Sequence, residues 1–204
     1  MMQKTAILPS LYLPPVEYLS AIYRNDNIII DIGEHYVKQT YRNRCSIATT
    51  NGVQDLSVPV CKNEKATAMK DIRLSEHGNW RKNHIAAINT AYGNSPYWDF
   101  LKPDFTDLYA RQFTFLVDFN MALLELVCNI TEISPHICIS ETYIETDDNR
   151  TYTDLRKSTT ARHTTDNKAF KPYDQVFGQK FGFIPNLSCI DLLLNMGKES
   201  IFYL

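Results

Sequence analysis

The sequence predicts a single α/β domain over residues 1–204, with a mostly parallel central sheet, an added β-hairpin and a helical middle segment. Three observations predict this fold class. The chain opens with strand, loop, helix and strand; an Asn-Gly turn separates two apolar segments; and a long middle segment has a hydrophobic period of about 3.6 residues. Hydrophobic residues form 44% of the chain, enough for a core, and neither repeats nor a linker divide it.

The opening predicts two parallel strands. Residues 5–8 form a short apolar run before Pro9, and residues 16–22 have helical character after Pro14 and Pro15. Residues 27–32 are rich in β-branched side chains and are typical of a second strand. Because a helix lies between these strands, we expect them to be parallel.

The segments around Asn51-Gly52 predict the β-hairpin, since residues 44–49 and 53–60 flank this turn. Residues 69–74 suggest another short strand, and residues 79–91 a helix that ends near Gly93. Residues 104–130 predict one or two long helices. We expect a strand at residues 136–140 and a long polar loop at 145–168. A last helix should follow from residue 189, with Ser188 near its N-cap and Gly197 past its end.

The composition excludes several classes of protein. The chain carries 21 Lys and Arg against 23 Asp and Glu, so it has no general positive field for nucleic acid or an anionic membrane. Its five cysteines are scattered without a C-x-x-C spacing, which predicts neither a metal site nor a disulfide framework. Without a signal peptide or a membrane-length apolar run, we expect a cytoplasmic protein. No P-loop, dinucleotide-binding or nucleophile-elbow motif occurs, and no cofactor or oligomeric state is predicted.

The residues from 35 to 44 form the first candidate site. His35 follows the carboxyl end of a predicted strand, where open α/β sheets bind ligands, and is a candidate catalytic base. Arg42 and Arg44 alternate along an extended chain and could clamp a phosphate, with Asn43 between them and Lys38 adding a point charge. The alternative is a solvated basic edge.

The residues around Trp80 form the second candidate site. His84 lies one helical turn after Trp80 and Arg81, so an acid or base, a stacking ring and an anion anchor would share one region. Tyr12 lies in a proline-rich loop and could stack on a base or sugar. For His84 and Tyr12 the alternative is packing in the core. Four further residues have simpler interpretations. His77 lies in a turn that caps the next helix through Asn79, Cys45 and Cys61 are packing residues, and Ser188 is a helix cap.

Four segments resemble the WbqC-like protein family, and they occur in the expected order over nearly the whole chain. They are Leu8-Pro9-Ser10-Leu11-Tyr12-Leu13-Pro14-Pro15 with Glu17-Tyr18, the residues 33–44, Trp80-Arg81-Lys82-Asn83-His84 leading to Pro96-Tyr97-Trp98, and the residues 182–193. The sequence departs from many relatives at Leu8-Pro9-Ser10, where they have Gln-Pro-Tyr, and at Asp31-Ile32-Gly33-Glu34, where they are richer in Asp. The resemblance implies a part in bacterial surface polysaccharide (O-antigen-like) biosynthesis.

Two functional hypotheses follow from these residues and this resemblance. The first is a transferase that modifies a nucleotide-linked amino sugar, or another small anionic substrate. Lys38, Arg42 and Arg44 would hold its phosphates, and His35 or His84 would move the proton. The second is a non-catalytic binding or assembly protein for polysaccharide enzymes, anchored by the aromatic residues Tyr97, Trp98 and Phe100. The two differ in whether the charged residues converge in one cleft.

Overall fold

Four parallel strands form the central sheet, in the order β5–β2–β1–β6. They are β1 (Thr5–Pro9), β2 (Asn27–Asp31), β5 (His136–Ser140) and β6 (Thr153–Asp154). In register, Ile7 lies opposite Ile29 on one side and Asp154 on the other. The computed structural model describes residues 4–62, 67–145, 152–157 and 170–204. The predicted parallel pair β1–β2 is confirmed.

The order of the strands reverses beside β1. From β1 the chain moves to β2 and then to β5 on one side, whereas β6 pairs with β1 on the other side. In open α/β sheets, ligands bind outside the carboxyl ends of the strands at such a reversal. The carboxyl ends of β1 and β6 therefore mark the place where the fold favours a binding site.

The β-hairpin forms a separate antiparallel sheet of β3 (Arg44–Thr49) and β4 (Gly52–Ser57). Gly52 has φ of 99°, a conformation that favours glycine and that the turn requires. The hairpin predicted from Asn51-Gly52 is thus confirmed, although β4 ends at Ser57.

The described part of the chain also has six α-helices: α1 (Val16–Arg24), α2 (Trp80–Tyr92), α3 (Trp98–Ala110), α4 (Leu116–Thr131), the short α5 (Gly178–Phe181) and α6 (Cys189–Met196). The helical middle segment is confirmed as two helices, since the backbone is extended at Phe115 before α4 begins. None of the described helices is long and apolar enough to cross a membrane.

Helix α4 divides the core into two clusters. Its residues Phe119, Leu123 and Val127 pack among the aromatic side chains of α2 and α3. Its residues Val117 and Leu124 pack against the buried side chains of β1 and β2. The two faces of this helix therefore support two different regions, the sheet and the helical layer.

Two predictions about local structure are wrong or incomplete. Residues 69–74 contain a 3-10 helix, Met69–Asp71, instead of a strand. The reason is that Met69 N–H donates to Glu34 while Leu74 N–H donates to Thr114, so the segment changes partners within a few residues and no ladder forms. The predicted loop at 145–168 contains the short strand β6, and its residues 146–151 and 158–168 lie outside the described residues.

The loop after β1 is closed by residues from the far end of the chain. The Val16 N–H donates to the Leu187 carbonyl at 3.0 Å, and the Cys189 N–H donates to the Pro14 carbonyl at 2.7 Å. The Ser188 hydroxyl donates to the Leu13 carbonyl at 2.8 Å, at a position where Leu13 has a positive φ of 39°. These bonds fix the loop that carries Tyr12.

Candidate functional site

A buried carboxylate, Asp31, lies at the carboxyl end of β2. The side chain is fully buried, yet both of its oxygens have partners. One oxygen accepts the Gly33 N–H at 3.0 Å, and the other accepts the Ile144 N–H at 3.2 Å and pairs with the Arg156 guanidinium. Such complete pairing is what a buried charge requires.

Arg156 connects Asp31 with Asp154, the last residue of β6. Its Nε and Nη2 donate to the two carboxylate oxygens of Asp154 at 3.0 and 2.7 Å. Its guanidinium carbon lies 4.5 Å from the centroid of the Tyr143 ring. The hydrogen bond to Asp154 raises the pKa of Arg156, which keeps the cation charged. The guanidinium thus spans the reversal point of the sheet, from β2 to β6.

A second buried ion pair, Glu34 with Arg42, lies just beyond the same edge. Nε and Nη2 of Arg42 donate to the two Glu34 oxygens at 2.8 and 2.7 Å. Burial raises the pKa of Glu34, and the hydrogen bonds from Arg42 oppose that rise. Arg42 lies in the turn before β3 and not on an extended strand, so it does not share a strand face with Arg44. The bidentate pair holds Arg42 on Glu34.

The other members of the segment 35–44 differ in exposure. His35 and Lys38 are exposed to solvent, on a segment that leaves the carboxyl end of β2 and returns to β1, where the Tyr41 carbonyl accepts from Tyr12 N–H. Asn43 is buried, and its amide donates to the Val58 carbonyl at 2.9 Å. Arg44 is half-buried, and its Nε has no hydrogen-bond partner among the described residues.

Tyr12, His84 and Tyr109 form a hydrogen-bonded chain in the core. The Tyr12 hydroxyl lies 2.8 Å from Nδ1 of His84 and also contacts the Tyr109 hydroxyl. Burial lowers the pKa of His84 to about 4, although a hydrogen bond with the Ser57 backbone opposes it. Burial also raises the pKa of both tyrosines. At neutral pH the three groups are therefore uncharged, a state that suits packing.

Trp80 and Arg81 lie beside this chain at the start of α2. The indole N–H of Trp80 donates to the Ser75 carbonyl at 2.9 Å, and its ring meets His84 edge-on at 5.3 Å. The guanidinium carbon of Arg81 lies 4.6 Å from the centre of the Trp80 ring, a cation–π contact. Arg81 pairs with the exposed Glu76 and lowers the pKa of the Glu76 carboxyl. The Nη1 atom of Arg81 is buried without a hydrogen-bond partner among the described residues.

The predicted site residues therefore fall into two groups on either side of α4. Phe119 packs on Tyr12, Trp80 and Tyr109, whereas the neighbouring Asn120 donates to the Arg42 carbonyl at 3.0 Å. The first group, at the sheet edge, contains His35, Lys38, Arg42, Asn43 and Arg44. The second group, in the helical layer, contains Tyr12, Trp80, Arg81 and His84.

The residues with simpler interpretations have mixed outcomes. Ser188 caps α6 as predicted, since its hydroxyl accepts the Ile190 N–H at 3.4 Å. Asn79 stands at the cap of α2 but makes no capping hydrogen bond. Cys45 is buried, as a packing residue would be, whereas Cys61 is exposed. Among the residues that the structure describes, no group of three or more His, Cys, Asp or Glu side chains could hold a metal ion.

Three residues at the sheet edge, Asp31, Asp154 and Arg156, were not among the predicted site residues. Asp31 could have been found, because it interrupts a run of isoleucines at the end of a predicted strand. Asp154 and Arg156 lie in and beside a strand of two residues, within a polar segment that contains no strand pattern. Tyr109 was also not predicted, because its position on the buried face of a helix is typical of an ordinary core residue.

Known proteins resemble this chain over most of its length or all of it. The model of the WbqC-like protein family matches residues 10–169. An uncharacterised protein of Mycobacterium tuberculosis, Rv1507c, is 30% identical over 235 aligned residues, which cover 100% of this chain and 98% of the relative. No solved structure matches. The family match includes the sheet edge, the helical layer and β6, so the chain belongs to the WbqC-like protein family.

Proposed function

We propose that this protein acts in the cytoplasm in bacterial surface polysaccharide assembly, as a transferase that modifies a nucleotide-linked amino sugar. The substrate binds at the carboxyl edge of the parallel sheet. The observation that carries this proposal is the position of Arg156, which crosses the reversal point of the sheet between Asp31 and Asp154. Membership of the WbqC-like family supports the same process.

Energetics support a functional role for this edge. The charged side chains at this edge are all buried, namely Asp31, Glu34, Arg42 and Arg156. Transfer of such a charge from water to the protein interior costs roughly several kcal/mol per ion. Well-packed apolar residues of similar volume are often as stabilising as a buried ion pair. Two ion pairs gathered at one sheet edge are therefore better explained by binding or catalysis than by stability.

The exposed residues of the neighbouring segment provide the groups that would meet the substrate. In this proposal Lys38 contacts the diphosphate as a point charge, and the buried ion pairs keep the segment in place. The imidazole of His35 accepts the proton from the amino group of the sugar as that nitrogen bonds to the carbonyl carbon of an acyl donor. The bond between this carbon and the donor's leaving group breaks, and the leaving group departs with the proton from His35. His84, which is buried and neutral, serves to orient Tyr12.

The experiment is a thermal-shift screen with uridine and thymidine diphosphate sugars. We expect amino-sugar nucleotides to stabilise the native protein, and Lys38→Gln to remove most of that stabilisation. Lys4→Gln is the matched control, because Lys4 is an exposed lysine before β1, at the opposite edge of the same sheet. His35→Gln should retain binding and lose transfer from an acyl donor.

Two results would contradict the proposal. One is the absence of stabilisation across the whole panel of sugar nucleotides. The other is equal stabilisation of the native protein and the Lys38→Gln variant, which would place the anion elsewhere.

The alternative, a non-catalytic assembly protein, has less support. Of the three aromatic residues predicted to anchor a partner, Phe100 is largely exposed, at 78%. Trp98 is buried, and its indole N–H donates to the Asn89 side chain at 2.9 Å. One exposed ring is common on the surface of monomeric proteins and does not define a docking surface.

A further inference from the structure

A groove of roughly 550 Å³ lies between α2 and α3, away from the ion pairs at the sheet edge. Its apolar walls are formed by Ile85, Ala86 and Ala110, and by the ring of Tyr109. The volume is within the range of small-molecule sites, about 300 to 1,000 Å³. The groove is therefore large enough for a ligand with a substantial apolar part.

Three cations surround this apolar groove, Arg81, Lys82 and Lys102. Lys82 and Lys102 are exposed, and the Lys102 ammonium lies 3.0 Å from the Asn89 side-chain oxygen. Among the described residues that line the groove, none is acidic. The groove thus combines apolar walls with a positive rim.

Arg81, the third cation, is already paired with an anion of the protein. Its Nε and Nη2 face the Glu76 carboxylate, which is not one of the lining residues. Its Nη1 is buried and has no hydrogen-bond partner among the described residues. A buried donor without a partner costs about 1–3 kcal/mol, but an atom that water does not reach is equally closed to a ligand oxygen, so Lys82 and Lys102 are the rim cations open to an anion.

We propose that this groove binds one molecule of a long-chain phosphate, an alkyl or isoprenoid monophosphate. The chain covers the apolar walls, and the phosphate contacts Lys82 and Lys102. A free phosphate would leave the walls exposed to water, whereas a neutral lipid would leave the Lys82 and Lys102 ammonium groups without an anion. The site is separate from the sheet edge and does not depend on the transferase proposal.

The concave shape favours one bound chain over a membrane surface. The Tyr109 ring that forms part of the floor is only 2% exposed, so the walls are recessed between the helices. Docking on a bilayer requires apolar side chains that project from the surface. A single acyl or prenyl chain, in contrast, can enter a recess of this size.

The test measures binding of dodecyl phosphate below its micelle concentration by titration calorimetry. We expect binding to the native protein, and no binding of inorganic phosphate at the same concentration. Lys102→Glu should weaken binding about tenfold, because it reverses one charge beside the head group. Ala86→Trp should weaken it at least as much, because the indole fills the space of the chain.

Two variants serve as matched controls. Lys62→Glu makes the same charge change at an exposed lysine outside the groove, and Thr90→Trp places an indole at an exposed position one turn further along α2. Both should bind dodecyl phosphate as the native protein does. Circular dichroism of each variant checks that it is folded.

Three results would overturn the proposal. Unchanged affinity in both groove variants would place the ligand elsewhere. Equal affinity for inorganic phosphate would make it a simple anion site, and binding only to anionic vesicles would make it a membrane surface. The sugar-nucleotide screen with Lys38→Gln tests the sheet edge and not the groove. A negative result in one experiment therefore leaves the other proposal unaffected.

Discussion

The two charged regions of this protein use the same ion-pair chemistry in opposite environments. At the sheet edge, the Arg42 and Glu34 side chains are 7% and 6% exposed. In the helical layer, Arg81 pairs with Glu76, whose side chain is 56% exposed. The first pair is held in a rigid, low-dielectric setting, whereas the second is screened by water. A buried pair that loses one member leaves an unpaired charge in the interior, so the sheet edge should be far more sensitive than the helical layer to the removal of one charge.

The largest test of this contrast is Arg42→Met. Removal of the guanidinium leaves the Glu34 carboxylate buried without its cation, so we expect a loss of about 3–5 kcal/mol in the free energy of unfolding. Urea denaturation at pH 7 measures it. The double variant Glu34→Leu/Arg42→Met, which removes both charges, should recover most of the loss. A double variant as unstable as Arg42→Met would show that packing of the Arg42 side chain, and not its charge, supports the edge.

A smaller expected effect is the different pH dependence of the free energy of unfolding in the two regions. The pKa of His84 is lowered to about 4 from an unfolded value near 6.5, so the unfolded chain binds the proton first as pH falls. The stability that neutral His84 contributes is complete above about pH 6.5 and decreases toward pH 4. Between pH 7 and pH 5 we expect a loss of about 2 kcal/mol from this residue, measured by urea denaturation.

The control for this pH effect is His84→Gln, which can still bond to Tyr12 but does not titrate. The sheet edge should respond with the opposite sign, because the pKa of Glu34 is raised. Its folded state binds the proton more readily than the unfolded chain, so its contribution to stability falls as pH rises above the ordinary range of a glutamate. An equal pH dependence in His84→Gln and the native protein would contradict the assignment to His84.

The smallest expected effect is that of Glu76→Gln. Because this carboxylate is mostly exposed, the variant should lose less than about 1 kcal/mol in the free energy of unfolding. The Arg81 guanidinium keeps its stacking on Trp80, which does not require Glu76. A loss as large as that of Arg42→Met would remove the distinction between the two regions.

The elements with strong local patterns could be predicted from the sequence. The parallel β1–β2 pair follows from two apolar runs separated by a helix, and the hairpin follows from Asn51-Gly52. The helical middle segment follows from its hydrophobic period. In contrast, β6 has only two residues, and its pairing with β1 brings together positions more than 140 residues apart. No local pattern indicates such a partner.

The candidate site was predictable only in part, for a similar reason. Residue type and spacing indicate that Arg42 and His84 carry useful chemistry, but they do not indicate that Glu34 engages Arg42 or that Tyr12 and Ser57 hold His84 in the core. Burial and partners come from tertiary packing. Sequence reasoning thus names candidate groups more readily than it states whether they are accessible.

The closure of the Tyr12 loop by Leu187, Ser188 and Cys189 has a consequence for the order of events during synthesis. The Ser188 hydroxyl bonds to a carbonyl 175 positions earlier in the chain. At about 5–20 residues per second, a ribosome needs roughly 10 to 35 seconds to add that intervening chain. The β1 loop therefore cannot close until residues 187–189 have been synthesised, and a nascent chain that stops short of residue 187 would leave it open.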